Sequence, residues 1–235
     1  MYNINKKNLY IFGCSGIAKS MIDSIIRLKQ YDIGNITMID KDVSLSGVEF
    51  YRKIPCISED EFRNIQNKCG DYICAFYKPF DIFDRLEYAK SIESRYGLTP
   101  INVIDCTVNL SSTAKIGRGI YLAPGVIVDS DAQIGDHSII LFNSIISREC
   151  NIHENNFISG SVVVKGSVIV KSNNFISSNC VIVKDVGQNN FINSGIVLNR
   201  KDCERMIIAG KNVFIEVGLP ASESAAKKKL RYMNP

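Results

Sequence analysis

The hydrophobic positions between residues 104 and 187 recur with a strict period of six. Fourteen aliphatic side chains lie in unbroken register: Ile104, Leu110, Ile116, Leu122, Val128, Ile134, Ile140, Ile146, Ile152, Ile158, Val164, Val170, Ile176 and Ile182. A second residue, mostly small or β-branched, follows four positions after most of them, and polar residues fill the turns between. A repeat this short and regular indicates stacked identical units, each made of short strands and corners.

A longer period of eighteen residues is superimposed on the first. The segment 155–159 (Asn-Asn-Phe-Ile-Ser) recurs at 173–177. Because eighteen is three times six, one coil has three faces, and equivalent residues stack directly above one another. We therefore predict a triangular parallel β-solenoid about 22 Å tall, from a rise of about 4.8 Å per coil. Asn156 and Asn174 are predicted to form a ladder of amide hydrogen bonds along the stack.

The residues before the repeat follow a different pattern, in which apolar strands alternate with amphipathic helices. Strands are predicted at 9–12, 36–39 and 72–76, and helices at 17–28, from 59 onwards and at 79–95. The second helix begins at a capping box, Ser-Glu-Asp-Glu at 58–61. Strands that alternate with helices predict a small parallel α/β sheet.

These patterns divide the chain into three segments. Residues 1–103 form the α/β domain, and residues 104–192 form the all-β solenoid. Residues 193–235 are a C-terminal extension, which we interpret as either a further partial coil or an arm that reaches a neighbouring subunit.

The loop after the first predicted strand has the composition of a phosphate-binding turn. It reads Gly13, Cys14, Ser15 and Gly16 and opens a helix, whose first backbone N–H groups can bind phosphate. Asp40 closes the second strand and can accept hydrogen bonds from a ribose or a base. Gly13, Ser15, Gly16 and Asp40 are therefore predicted to bind a nucleotide, and a plain tight turn is the alternative.

Charge and cysteine content narrow the function classes. The net charge is +4, from 28 basic and 24 acidic residues, which is too balanced to indicate nucleic-acid binding. The eight cysteines include no CxxC pair and none at metal-ligand spacing, so no metal is expected. The thiols are expected to be reduced in the cytoplasm. We find no signal peptide and no apolar run long enough to span a membrane.

The α/β domain followed by the hexad repeat resembles the hexapeptide-repeat sugar acyltransferases, a group related to sialic acid O-acetyltransferase and to the bacillosamine-pathway and viosamine acetyltransferases. The resemblance implies a left-handed β-helix that binds acetyl-CoA and a Rossmann-like N-terminal domain that binds a nucleotide-linked sugar. It also implies a cytoplasmic homotrimer with sites between subunits, acting in surface polysaccharide (O-antigen or capsule) biosynthesis. The glycine-rich loop departs from the family pattern, Gly-x-Gly-Gly-His, at Ser15 and Ile17.

The eighteen-residue period places Ser130, Arg148, Gly166 and Lys184 on one corner of the prism. In the resembled family, the stretch equivalent to 146–150 carries a histidine that acts as general base, followed by an acid that orients it. Here these positions are Arg148 and Glu149. The resemblance further implies that the N–H of Gly166 donates a hydrogen bond to the thioester carbonyl of acetyl-CoA. Lys184, on the same corner of the prism, is a second candidate for binding this cofactor.

Arg148 changes the chemistry that this corner can perform. Arginine stays protonated at any working pH, so it cannot accept a proton from the acceptor. A sugar hydroxyl needs a base, whereas a sugar amine can attack a thioester with its own lone pair once it is oriented. We therefore predict N-acetylation of a nucleotide-linked amino sugar. The alternatives are an O-acetyltransferase of the sialic-acid type and a catalytically silent binding protein.

The two histidines and three phenylalanines complete the set of candidates. His137 lies on a different corner from Arg148, so it is a candidate base only if a neighbouring chain supplies it. His153 is predicted to point outward from a flat face. Phe142, Phe157 and Phe175 are predicted on outer faces, where neighbouring subunits would cover them.

Overall fold

The computed structural model describes residues 7–66, 68–77, 82–200, 205–210 and 213–216. Residues 79–81 of the predicted third helix, Cys203 and most of the predicted C-terminal extension lie outside these ranges. None of the helices within them is long and apolar enough to cross a membrane.

The first part of the chain is a six-stranded sheet with helices on both faces. Its strands are β1 (Leu9–Phe12), β2 (Ile36–Asp40), β3 (Glu49–Tyr51), β4 (Ile54–Ser58), β5 (Asp71–Cys74) and β6 (Thr99–Pro100). They lie in the order β3-β4-β2-β1-β5-β6, and every neighbouring pair is parallel except β3 and β4. The predicted parallel α/β sheet is therefore observed.

Three helices cover this sheet: α1 (Gly16–Leu28), α2 (Glu59–Asn64) and α3 (Ile82–Tyr96). Side chains alternate across β1, so that Leu9 and Ile11 pack with α1, while Tyr10 and Phe12 pack with α2 and α3. The predicted capping box at the start of α2 is present, with both of its hydrogen bonds.

The hexad repeat forms two-residue strands, as the period of six predicts. These are β7 (Val103–Ile104), β8 (Asn109–Leu110), β9 (Lys115–Ile116), β10 (Tyr121–Leu122), β11 (Ile127–Val128), β12 (Gln133–Ile134), β13 (Ile139–Ile140), β14 (Ile145–Ile146), β15 (Asn151–Ile152), β16 (Phe157–Ile158), β17 (Val163–Val164), β18 (Ile169–Val170), β19 (Phe175–Ile176) and β20 (Val181–Ile182). The coils continue with β21 (Phe191–Ile192), β22 (Val197–Leu198) and β23 (Met206–Gly210), and β24 (Val213–Glu216) pairs antiparallel with β23. The beginning of the predicted extension is thus a further coil.

From β7 to β20, every third strand belongs to the same sheet, which gives the prism its three faces. The first face holds β7, β10, β13, β16, β19, β21, β23 and β24, the second holds β8, β11, β14, β17, β20 and β22, and the third holds β9, β12, β15 and β18. Residues eighteen apart are paired, as in Ile127 with Ile145, and the spacing shortens to sixteen where Phe175 pairs with Phe191. This arrangement fits a left-handed parallel β-helix.

The predicted asparagine ladder is confirmed at the vertex between the third and first faces. The Nδ2 atom of Asn174 donates to Oδ1 of Asn156 at 3.2 Å, and Asn190 donates in the same way to Asn174 at 2.9 Å. A second ladder, formed by the residues that precede these asparagines, was not predicted. It starts with Asn155, whose Nδ2 donates to Oδ1 of Asn173 at 2.8 Å.

The α/β part packs on the first face of the solenoid. Asp105, on the first coil, is buried and accepts hydrogen bonds from Ser24 (2.6 Å) and Arg27 (3.1 Å from Nε) of α1. Tyr77 follows β5 and stacks on Phe157 of the first face, with ring centroids 3.7 Å apart.

Tyr77 also stacks on Phe175, at 4.5 Å. The rings of Phe157 and Phe175 are therefore buried by their own chain, and their predicted role as a subunit contact is wrong. Sequence periodicity shows that these rings point outward, but it does not identify what covers them. Phe142 remains exposed.

Candidate active site

A cleft of about 480 Å³ opens where β1, β2 and β5 end. Its lining includes the loop from Gly13 to Ser15, Asp40, and the aromatic rings of Phe76 and Tyr88. In a parallel sheet the carboxyl ends of neighbouring strands meet at one edge, which is where such folds bind ligands. The predicted residues Gly13, Ser15 and Asp40 thus lie together, as the sequence suggested.

Gly13 permits a close approach between two of these loops. Its φ is +103°, in the region that favours glycine, and a Cβ atom there would lie 2.5 Å from Cβ of Phe76. Any side chain at this position would push the loop after β1 away from the end of β5. Gly16, by contrast, opens α1 with open space around its Cα.

Ser15 and Asp40 hold the loop in place. The hydroxyl of Ser15 caps α1 by accepting from the Ala18 amide at 3.3 Å and donates to the carbonyl of Ala75 at 2.5 Å. The carboxylate of Asp40 accepts from the amides of Cys14 (2.6 Å) and Asp42 (2.9 Å). Each carboxylate oxygen still has lone-pair directions that a ligand donor can use.

Lys41 and Tyr88 line the same cleft and were not predicted. The Nζ atom of Lys41 lies 4.6 Å from the ring centroid of Tyr88, which itself packs edge-on against Phe76. A flat aromatic surface with a cation and a carboxylate beside it suits a nucleotide base and its phosphates. The strand pattern contained a signal for Lys41, which directly follows β2.

The predicted column of Ser130, Arg148, Gly166 and Lys184 is confirmed by the strand register on the second face. It runs along the vertex between the second and third faces. Arg148 is exposed, and within the described part of the chain no carboxylate lies within ion-pair distance of its guanidinium.

Glu149 does not pair with Arg148 in this arrangement. Its Oε2 atom accepts a hydrogen bond from the hydroxyl of Ser167, one coil along, at 2.7 Å. Glu149 has a φ of +59°, so it occupies the left-handed position of its turn and points along the stack. The positive charge of Arg148 is therefore available to a ligand.

The local backbone geometry does not require a glycine at position 166. Its φ lies outside the left-handed region, and an added Cβ would lie at ordinary contact distances, 3.5 Å from O and 3.6 Å from Cγ of Arg148. None of the described residues accepts a hydrogen bond from its amide. An exposed amide without a side chain fits a thioester carbonyl, which needs both a donor and room.

His137 lies on the vertex between the third and first faces, buried under α3 of its own chain. Its Nε2 atom is 3.5 Å from Oε1 of Glu93, and only 3% of the residue is exposed. Arg85 of α3 donates to its carbonyl oxygen at 2.6 Å. This placement argues against a role as a base presented to a neighbouring subunit, whereas His153 is exposed as predicted.

Burial and charge keep the His137 imidazole neutral. Burial lowers the pKa of His137 to about 4, and the positive charge of Arg85 acts in the same direction. Arg85 is itself buried and bonds carbonyl-type oxygens, including Oδ1 of Asn155 at 2.7 Å. His137, Arg85 and Glu93 therefore form part of the contact between the two parts of the chain.

One chain does not bring the cleft and the Arg148 vertex together. The cleft belongs to the part that packs on the first face, and the vertex between the second and third faces is the one that does not border that face. In a triangular prism this vertex lies opposite the covered face. No cluster of three or more potential metal ligands occurs among residues with described positions.

Comparison of the sequence with protein-family models and with the curated proteins finds no match. Solved structures, however, share its fold over most of the chain. A variant of perosamine N-acetyltransferase from Caulobacter crescentus, in complex with CoA and GDP-perosamine, superposes with a TM-score of 0.77 at 18% identity, covering 92% of this chain and 99% of that one.

Two further structures agree with this likeness. The acetyltransferase domain of PglB from Neisseria gonorrhoeae FA1090, in complex with acetyl coenzyme A, gives a TM-score of 0.74 at 18% identity, covering 91% of this chain and 100% of that one. WeeI from Acinetobacter baumannii AYE gives 0.66 at 16% identity, with 88% and 99% covered. The chain thus shares its fold with perosamine N-acetyltransferase and with the acetyltransferase domain of PglB.

Proposed function

We propose that this chain is an acetyl-CoA-dependent N-acetyltransferase that acts on a nucleotide-linked amino sugar. The observation that carries the proposal is that its fold matches, through both parts of the chain, an enzyme whose crystals hold CoA and GDP-perosamine. In this proposal residues 1–103 are a Rossmann-like nucleotide-sugar domain, residues 104–192 the acyltransferase domain and residues 193–235 a C-terminal extension.

The nucleotide-linked sugar would bind in the cleft at the ends of β1, β2 and β5. The start of α1, with Gly16 as its first residue, offers backbone N–H groups to the phosphates. Asp40 would accept from the ribose or base, while Ser15 and Gly13 keep the loop in the required shape. The rings of Phe76 and Tyr88 would flank the base.

Acetyl-CoA supplies the acetyl group as an activated thioester. Gly166 would donate its amide to the thioester carbonyl and so stabilise the negative charge that develops on that oxygen. Lys184, exposed one coil further along the same vertex, would bind a phosphate of the cosubstrate.

Arg148 favours an amine over a hydroxyl as the acceptor. A guanidinium cannot accept a proton, so a hydroxyl at this vertex lacks a base within the same column. The unpaired positive charge would also disfavour the ammonium form of an amine, which increases the fraction of neutral, nucleophilic amine. Glu149 accepts a hydrogen bond from Ser167 and would not orient the Arg148 side chain.

We further propose a homotrimer with its active sites between subunits. The cleft and the Arg148 vertex lie on opposite sides of one chain, so a neighbouring chain would have to supply one of them. The second face carries an outward row of stacked aliphatic side chains: Ile127, Ile145, Val163, Val181 and Val197. Both ends of this row are exposed, and a subunit contact would cover it. The proposed site of action is the cytoplasm, in the assembly of surface polysaccharide.

The proposal is tested by measuring CoA release with matched acceptors. GDP-, UDP- and dTDP-linked 4-amino-4,6-dideoxy sugars are compared with their 4-hydroxy counterparts at neutral pH. We expect turnover with at least one amine and at least a hundredfold less with the corresponding hydroxyl, because general base assistance typically contributes about 10²–10⁴ in rate.

Three outcomes would contradict parts of this proposal. Faster release with the hydroxyl sugar would favour the O-acetyltransferase alternative. No release with any acceptor, despite binding of nucleotide and CoA, would favour the silent binding protein. Loss of amine turnover in His137→Ala, with the protein still folded, would restore His137 as the base.

A further inference from the structure

Two cysteines are in contact beside the nucleotide cleft. The Sγ atoms of Cys14 and Cys56 lie 3.2 Å apart, although the residues are 42 positions apart in the chain. Cys14 belongs to the loop after β1 and lines the cleft, whereas Cys56 is a buried residue of β4. The loop reaches β4 by crossing the end of β2, where the Gly13 amide donates to the carbonyl of Ile39 at 2.7 Å.

The other described cysteines have different surroundings. Cys150 and Cys180 are buried in the solenoid and donate their S–H groups to main-chain carbonyls, at 2.9 Å to Lys165 and 3.0 Å to Asn193. Cys69 and Cys106 are exposed, and Cys74 is buried at the end of β5. Among the cysteines with described positions, Cys14 and Cys56 are therefore the pair whose sulfur atoms touch.

We propose that Cys14 and Cys56 form a reversible disulfide that weakens nucleotide binding in the cleft. The oxidant is a low-molecular-weight disulfide, which enters through the cleft because that is where Cys14 is reachable. The effect on binding rests on the proposed function of the cleft, whereas formation of the bond does not.

The reaction is two successive thiol–disulfide exchanges. The Cys14 thiolate attacks one sulfur of the oxidant, which forms a mixed disulfide and releases the first small thiolate. The Cys56 thiolate then attacks the Cys14 sulfur, which closes the Cys14–Cys56 bond and releases the second small thiolate. The two cysteines lose two electrons and two protons, and the oxidant is reduced to two thiols.

The bond requires a short movement, and the structure indicates which residue moves. A disulfide has its sulfur atoms about 2 Å apart, so the 3.2 Å contact must shorten by about 1 Å. Cys56 is held in its strand, because its amide donates to the carbonyl of Val48 and its carbonyl accepts from the Gly47 amide, each at 2.9 Å. The loop that carries Cys14 therefore shifts toward β4.

This shift acts on the proposed nucleotide-binding groups. The Cys14 amide donates to the carboxylate of Asp40 at 2.6 Å, and Ser15, the next residue, caps α1. Movement of Cys14 toward β4 strains the hydrogen bond to Asp40. It also displaces the backbone amides at the start of α1, which are the proposed phosphate-binding groups. We expect nucleotide affinity to fall about tenfold, the loss of roughly one charge-assisted hydrogen bond.

Burial, together with the nearby negative charges, makes the pair slow to oxidise at neutral pH. Burial raises the pKa of the Cys14 thiol, and its contacts with Cys56 and Asp40 raise it further. Burial likewise raises the pKa of Cys56, with Asp40 and Glu61 as the nearby negative charges. The thiolate is the attacking species, so the reaction should accelerate as the pH rises.

The test uses the full chain carrying Cys69→Ser, Cys106→Ser and Cys203→Ser. This protein is incubated with oxidised glutathione in mildly alkaline buffer and then digested for mass spectrometry. We expect one cross-linked peptide pair containing Cys14 and Cys56, which disappears on reduction. In a matched protein that also carries Cys56→Ser, the reaction should stop at a glutathione adduct on Cys14.

A glutathione adduct that persists on Cys14 while Cys56 is present would overturn the proposal. A disulfide between either of these cysteines and a third cysteine would also overturn it. So would a result in which both Cys14 and Cys56 stay unreacted under conditions that fully convert Cys14 in the Cys56→Ser protein. Near-identical circular dichroism spectra of the two proteins would establish that the comparison is between folded proteins.

Calorimetric titration with GDP, UDP and dTDP completes the test on reduced, oxidised and re-reduced protein. We expect the nucleotide that binds the reduced protein to bind about tenfold more weakly after oxidation and to recover on reduction. Equal affinity in both states would overturn the effect on binding. Absence of nucleotide binding to the reduced protein would instead count against the proposed function, and the cross-linking result would stand separately.

Discussion

His137 gives the folded chain a pH-dependent stability that can be measured without any ligand. Burial first, and then the charge of Arg85, lower the pKa of this imidazole to about 4, against an ordinary value of 6.5. Glu93 and Asp136 oppose this shift, and Arg118 supports it. The folded protein therefore takes up the proton about two and a half pH units later than the unfolded chain does.

The size of the effect follows from this difference. Between pH 6.5 and pH 4 the unfolded chain binds a proton that the folded chain does not, so acidification favours unfolding. The linkage relation gives a loss of about 2 kcal/mol in the free energy of unfolding between pH 7 and pH 5. Few aspartates and glutamates titrate in that window at their usual pKa values, so the histidine contribution dominates.

Urea unfolding at pH 7, 6 and 5, at one fixed protein concentration, measures the loss. The variant His137→Asn removes the titration and suits the local backbone, because φ at this position is +58° and asparagine tolerates the left-handed region. Its unfolding free energy should be nearly constant between pH 7 and pH 5. His153→Asn is the matched control, since His153 is exposed, and it should lose stability as the unmodified protein does.

An unchanged pH dependence in His137→Asn would refute this account of the His137 environment. The same variant bears on catalysis. If His137 is part of the contact between α3 and the solenoid, His137→Asn retains CoA release at pH 7, where the native imidazole is already neutral.

Three further predictions concern the vertex, the assembly and the contact between the two parts of the chain. Gly166→Val should reduce CoA release at least a hundredfold, as loss of an oxyanion donor does. The control variant Gly160→Val, at the same hexad position on another vertex, should stay active. Near-normal turnover in Gly166→Val would exclude the oxyanion role. Light scattering should give the mass of a trimer, and a monomer at micromolar concentration would rule out the shared site. Asp105→Asn should lower the free energy of unfolding at pH 7 by about 2 kcal/mol. Burial alone would raise the pKa of Asp105, but hydrogen bonds from Ser24, Arg27 and Thr107 outweigh it and lower the pKa to about 2. This contribution is present above pH 4 and is lost as the pH falls toward 2, and urea unfolding checks both statements.

The solenoid could be predicted in detail because each of its contacts repeats along the sequence. The period of six gives the strand length, and the period of eighteen gives the number of faces and the register. The Asn156–Asn174 ladder and the column through Arg148 and Gly166 both follow from that register. Local chemistry and spacing were sufficient, since residues eighteen apart meet wherever the coil is regular.

The contact between the two parts of the chain could not be predicted in the same way. Tyr77 meets Phe157, and Arg85 meets the vertex that carries His137, across separations that no periodicity relates. The outward phenylalanines looked like a subunit contact because the sequence shows direction but not partner. For the same reason, the sequence did not show that α3 covers His137, which was therefore considered as an exposed corner residue.

The cleft could be predicted only in part. Gly13 and Asp40 were identified from the strand–loop–helix pattern, whereas Phe76, Lys41 and Tyr88 were missed. Parallel strands place their carboxyl ends along one edge, so the residue after each strand was a candidate from the start. Tyr88 lacks such a signal, because it reaches the cleft from the second turn of a helix.

Packing on the first face explains why Arg148 has no ion pair within the described part of the chain. That face is covered by the α/β part of the same chain, and the Arg148 vertex is opposite it, so the charged groups of the covering helices do not reach Arg148. His137, on a vertex that borders the covered face, is instead enclosed by Arg85 and Glu93 and held neutral. The fold thus separates a buried, neutral imidazole from an exposed, unpaired guanidinium. Under the proposed function, acetyl transfer at the exposed vertex would need an acceptor that attacks without a base at position 148. An amine meets this condition and a hydroxyl does not.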